Sequence, residues 1–153
     1  MAGVGILLIG IADRMLALPF LTPTLGPTAY VFAAHPHTST GKLRNAVIGH
    51  AVGIGAGLVG LATFGLWNAP SSVIMGHSSW AQAGASALAI AITLALLHLA
   101  KAHHAPAAAT ALLIATGVAP PGRPLIGLVL GLVGLMVLSP LLAAFPLLRR
   151  DPE

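Results

Sequence analysis

Long apolar runs dominate the chain, and polar positions fall almost entirely between them or at a few isolated sites within them. Two runs have the length of a membrane span, about 20 residues: Ala46 to Trp67, uncharged apart from the single His50, and Ala81 to Ala100, with Gln82 and His98 as its strongly polar members. A third, Leu125 to Leu148, contains Pro140, which is expected to kink it, and Pro146, and is closed by Arg149 and Arg150. The N-terminal run, Gly3 to Leu18, is shorter and carries Asp13 and Arg14 in its last turn; it is also expected to be a helix. No positive residues precede it and no convincing cleavage site follows it, so it does not read as a removable signal peptide.

Two further stretches are apolar but broken. Pro19 to Ala34 reads PFLTPTLGPTAYVFAA and Ala102 to Val118 reads AHHAPAAATALLIATGV. Each predicts an extended break followed by a half-helix, starting near Thr28 in the first and near Ala107 in the second. Non-helical backbone is tolerated at membrane depth only where protein buries it or water lines it; the competing expectation is a surface loop with an interfacial helix. The fold expected is therefore all-α and polytopic: four main transmembrane helices plus two broken or re-entrant half-helix segments, in one transmembrane domain over residues 1–153. Segments of about 1–68 and 81–150 repeat weakly in the order helix, break, half-helix with Thr-Ala, basic residue, Ile-Gly helix. Paired interrupted segments of this kind point to a transport site. Re-entrant breaks give four crossings and full crossings give six; both arrangements satisfy the positive-inside rule.

Composition removes the soluble alternative. Hydrophobic residues make up 57% and charged residues 7% of the chain, too little charge to cover a water-soluble exterior. No ten-residue alternation suggests a barrel. Short loops leave no room for a soluble catalytic domain. The net charge of +4 bears on orientation and lipid headgroups, not nucleic acid. Without cysteine, disulfides and thiolate metal sites are excluded. The expected location is an integral, bacterial inner membrane protein.

Glycine is the next signal. Gly49, Gly53, Gly57 and Gly60 form one stripe, and Gly127, Gly131 and Gly134 another. Such stripes let membrane helices approach closely, either within one chain or across a homo-oligomer seam; four to six short spans enclose little volume, so a homo-oligomer is expected.

Candidate chemistry is sparse and rich in donors. His50 lies on the glycine side of its helix, where it either bonds a neighbouring helix or serves a site. Arg44 and Asn45 open that helix; an Arg at a helix N-terminus opposes the macrodipole unless an anion sits there, although snorkelling to headgroups explains it equally well. Thr28 and Thr110 occupy the first turns of the half-helices, where capping is the first expectation and ligand contact the second. His104 precedes Pro106 at a half-helix start, whose free amides favour an anion. HPH at positions 35–37 and HH at 103–104 lack acidic or Cys partners at ligand spacing, so no metal or cofactor is expected. No paired carboxylates or Ser/His/Asp set exists to make an enzyme, and no catalytic residue is assigned.

These residues also carry a resemblance. His103-His104-Ala105-Pro106-Ala107-Ala108-Ala109-Thr110-Ala111-Leu112 resembles the signature of the HPP family, small integral membrane proteins named for a His-Pro-Pro followed by Ala-Gly-Ala-Thr-Ala. Ala105 stands where the signature has its first proline, and Ala108 where it has its glycine. Gly26-Pro27-Thr28-Ala29 is similar to the family's Gly-x-Ser/Thr-Ala half-helix, and Arg44-Asn45-Ala46-Val47-Ile48-Gly49-His50 to its Arg-Asn-x-x-x-Gly-His. The resemblance implies a transport-related protein; plant and cyanobacterial members are associated with nitrite.

The expected function is a transporter or channel for a small inorganic anion, nitrite-like, held by half-helix N-termini and by Thr28, Arg44, Asn45, His50, His104 and Thr110. The alternatives are a non-transporting membrane scaffold and a His-based metal ion carrier.

Overall fold

In a computed structural model, residues 2–143 are described. They form seven helices and no strand: α1 (Ala2–Leu16), α2 (Leu25–Ala34), α3 (Leu43–Thr63), α4 (Ser72–Met75), α5 (Trp80–Leu99), α6 (Pro106–Ala115) and α7 (Arg123–Ala143). Of the described helices, α3, α5 and α7 are long and apolar enough to cross a membrane. Helix α1, at 15 residues, reaches about 22 Å, short of a ~30 Å hydrocarbon core. Four full-length spans are therefore not what is observed.

The breaks lie where the prolines and glycines put them, with shifted edges. Helix α2 begins at Leu25, three residues before Thr28, because Pro27 sits in its first turn, where no N–H is needed. Helix α6 begins at Pro106 for the same reason. Helix α3 ends at Thr63 and not at Trp67, since Gly65 takes a left-handed φ of 64°. Sequence reading missed α4, a single turn capped by Ser71 and closed by Gly76 at φ 71°. The expected end of the last helix at Leu148 lies outside the described residues; within them, α7 continues through Pro140.

Helix α5 has the firmest ends. Ser79 and Gln82 form a reciprocal capping box at its start. At its end the Lys101 amide bonds the His98 carbonyl and the Ala102 amide that of Leu97, while Lys101 takes φ 50°. This Schellman closure with a lysine in place of glycine turns the chain sharply toward His104.

Glycines decide how the helices pack. An added Cβ at Gly49 would lie 2.9 Å from His104 Cβ, at Gly53 2.5 Å from the Ala107 carbonyl oxygen, and at Gly57 2.7 Å from Ile114 Cβ. The ascending pairs show α6 running alongside α3 in the same direction. Gly60 meets Ala85, and Leu97 clusters with Ile48 and Val52, so α5 runs against both. The first glycine stripe thus packs within the chain.

The second stripe behaves likewise: Gly127 faces the Pro19 carbonyl, Gly131 that of Phe20, and Gly134 the side chain of Ile9. Arg123 donates to the Ala17 carbonyl at 2.8 Å, and α7 runs against α1. The molecule is two three-helix groups, α1/α2/α7 and α3/α5/α6. An apolar cluster including Leu25, Ala29, Leu61, Ile114, Leu128 and Leu132 joins them. Outward-facing Leu7, Leu94, Leu112, Val133 and Val137 suit lipid, and exposed Trp67, in the linker after α3, and Trp80, at the start of α5, are placed as interfacial anchors are.

Gly53→Ala forces the α3 and α6 backbones apart and is expected to cost about 1–3 kcal/mol in reversible unfolding in micelles. Gly55→Ala, which meets nothing within 4 Å, should leave stability unchanged or raise it by up to ~1 kcal/mol. Equal losses from both would contradict this packing.

Candidate functional site

His50 is the hub of a buried polar cluster. It lies one residue beyond Gly49, on the stretch of α3 that packs closely on α6, and is 3% exposed; His104 is 1% exposed. Thr110 Oγ1 on α6 is 2.8 Å from His50 Nδ1. Thr28 Oγ1 on α2 is 3.1 Å from His50 Nε2, and His104 Nε2 is 3.1 Å from the same nitrogen. The imidazoles meet edge to face with centroids 4.9 Å apart, and the Phe32 ring lies 6.2 Å from that of His104. Both breaks therefore deliver their side chains to one histidine.

Partners fix the protons by elimination. Nδ1 of His104 faces the Thr40 carbonyl at 2.8 Å and must donate, so in the neutral ring Nε2 accepts. Nε2 of His50 is then the donor between the rings, leaving Nδ1 to accept from the Thr110 hydroxyl. The Thr28 hydroxyl gives its hydrogen to the Thr24 carbonyl at 2.8 Å, so its oxygen accepts from His50. All four side chains are satisfied with both rings neutral, as a low-dielectric interior demands.

Four of the six expected site residues, Thr28, His50, His104 and Thr110, thus share one cluster. Neither threonine caps its helix. Asn45 is buried beside it but donates instead to the Ser39 carbonyl at 2.7 Å, pinning the loop that carries Thr40. Arg44 is exposed, with only a weak 3.5 Å contact to Asn45 Oδ1. The half-helix amides contribute less than expected: the Ala107 and Ala108 amides bond the carbonyls of His104 and Ala105, and the Leu25 and Thr28 amides those of Thr22 and Thr24.

Thr40 and Thr24 were missed, since both act through backbone carbonyls and side-chain identity gives no signal. Gln82 was noted only as polar. Besides closing its capping box, it donates to the carbonyls of Pro70 and Thr116, at 3.1 and 3.2 Å. Among the described residues no group of three or more His, Cys, Asp or Glu could hold a metal ion; two imidazoles alone make a poor metal site.

Apolar spans, broken apolar segments and a buried polar cluster define a polytopic α-helical integral membrane protein. The chain matches the family described as HPP, transmembrane region, over residues 1–149, and it belongs to that family. No curated protein and no solved structure matches it.

Thr110→Val removes the only hydrogen pointed at His50 Nδ1 and leaves a buried acceptor unpaired. It is expected to cost about 1–3 kcal/mol, whereas Thr110→Ser should be nearly neutral; thermal unfolding in detergent distinguishes them. Equal stability of the two would mean that this bond is absent.

Proposed function

We propose that this protein moves a small monovalent anion of the nitrite type across the membrane, with the His50 cluster at the centre of its path. The observation that carries the reading is the convergence of Thr28, Thr110 and His104, from both broken segments, on His50. Intramembrane polar clusters are expensive and mark transport sites by default. This one contains only hydroxyls and imidazoles, which suits a small anion, and no carboxylate to attract a cation. Arg44, exposed one and a half turns before His50, attracts and orients the anion at the entrance, and Asn45 holds the loop beside it.

The reading includes an inverted repeat. Each half runs helix, broken return, helix, and the last helix of each half lays its glycines on the break of the other: Gly49 and Gly53 on His104 and Ala107, Gly127 and Gly131 on Pro19 and Phe20. Both breaks open on a non-glycine residue at φ 50°, Ala17 and Lys101. Because α2 runs back along α1, and α6 back along α5, we read each half as three passes, six in all, of which α3, α5 and α7 have full-span length. Lys42, Arg44 and Lys101 then share one face, assigned to the cytoplasm. A helical bundle of this kind belongs in an inner membrane, since the outer membrane takes barrels. Movement of one three-helix group against the other would break the His50–Thr28 bond and admit the anion.

A scaffold is the rival reading, favoured by the completeness of the hydrogen bonding around His50. Flux decides between them. Purified protein in liposomes should admit nitrite well above protein-free vesicles; His104→Ala should abolish the flux, and Arg44→Ala should slow it roughly tenfold. A folded, inserted protein that passes no anion would remove the transport reading and leave the scaffold.

A further inference from the structure

The two imidazoles hold two protons on four ring nitrogens, one fewer than their partners allow. A third proton is accommodated without separating the rings. His104 then donates from Nδ1 to the Thr40 carbonyl and from Nε2 to His50 Nε2; His50 carries its own proton on Nδ1, against Thr110 Oγ1. The Thr110 hydroxyl turns its hydrogen away to accept from His50 Nδ1, and Thr28 Oγ1 gives up the hydrogen bond it accepts from His50 Nε2 in the neutral pair. Counting nitrogens, His104 Nδ1, His104 Nε2 and His50 Nδ1 carry one proton each; one proton has entered and the cluster is left with a single positive charge.

Among the described residues, nothing within reach neutralises that charge. From α2 the pair meets Thr28 and Phe32, from the loop after α2 the Thr40 carbonyl, and from α6 Thr110 and Ala107. The flanking titratable groups, Lys42, Arg44, His98, Lys101 and His103, are exposed and of the same sign or neutral. Asp13 is the only acid before residue 151; its Oδ2 accepts from the Leu21 amide at 3.0 Å, beside the end of α1 that meets Arg123. An uncompensated charge in such a site is costly, so the protonated pair persists only with a negative partner.

We infer that the site takes up one proton and one monovalent anion together, the proton on the His50–His104 pair and the anion against it. This rests on the transport reading and adds its co-substrate: an electroneutral, one-to-one uptake. By linkage the anion must favour protonation as much as the proton favours the anion.

The test uses the full-length protein with nitrite as the probe. In weakly buffered detergent solution, adding nitrite should draw protons from solution, approaching one per chain at saturation. In vesicles, acid outside should accelerate nitrite entry several-fold over the rate at matched pH. An internal indicator should acidify in step with that entry, above the leak of protein-free vesicles, and a membrane potential should not alter the rate. His104→Gln, which keeps a polar contact but cannot take the extra proton, should abolish proton uptake; the wild-type measurements stand even if that variant fails to fold. Nitrite flux that follows the potential, ignores the pH gradient and brings no proton uptake overturns the pairing and leaves the anion reading intact. Absence of both flux and uptake overturns the two together.

Discussion

The missing Cβ atoms along one face of α3 are what the rest of the molecule depends on. Lipid offers no hydrophobic drive for helices to associate, so contact must come from close packing and from polar groups that find each other. Gly49, Gly53 and Gly57 bring the α6 backbone against α3, and only at that separation does His50 reach both Thr110 and His104. The polar break before α6 is tolerable because Ala102 and His104 are buried in protein, with the Lys101 and Ala102 amides and the His104 imidazole bonded to carbonyls of the chain.

The second glycine stripe solves the same problem with different chemistry. Gly127 and Gly131 receive the carbonyls of Pro19 and Phe20, but the residue after Gly127 is Leu128, fully buried in the apolar cluster. On the repeat reading, Leu128 stands where the other half has His50, and Pro19 where it has His104. One architecture thus holds a polar centre in one half and a dry, apolar counterpart in the other. That difference confines the buried polar cluster to one half and leaves its counterpart packed with apolar side chains.

Much of this was legible in the sequence. The apolar runs located α3, α5 and α7 because lipid exposure demands continuous apolar residues. Pro27 and Pro106 marked the starts of the half-helices to within three residues, since proline fixes the first turn. Thr28, His50, His104 and Thr110 stood out because polar side chains are rare in such runs. What the sequence withheld was direction and partnership. A glycine stripe does not say which helix it receives, and the Thr40 and Thr24 carbonyls that set the proton pattern have no residue signature. The first-turn amides of α6 were expected to face a ligand and instead close onto carbonyls three residues back, a choice that Pro106 permits but does not dictate. Arg44 and Asn45, adjacent in the chain, diverge: one faces outward, the other braces a loop.

Gln82 gives the bundle unequal ends. Its amide nitrogen clamps Pro70 and Thr116 while its oxygen takes the Ser79 amide, so the linker after α3, the start of α5 and the end of α6 are riveted at one face. At the opposite face the α6 segment is tethered through a single imidazole to the Thr40 carbonyl. Hydrogen bonding is therefore uneven along the bundle axis: the Thr116 end of α6 is bound to α5 and to the linker after α3, the His104 end to one loop and to His50.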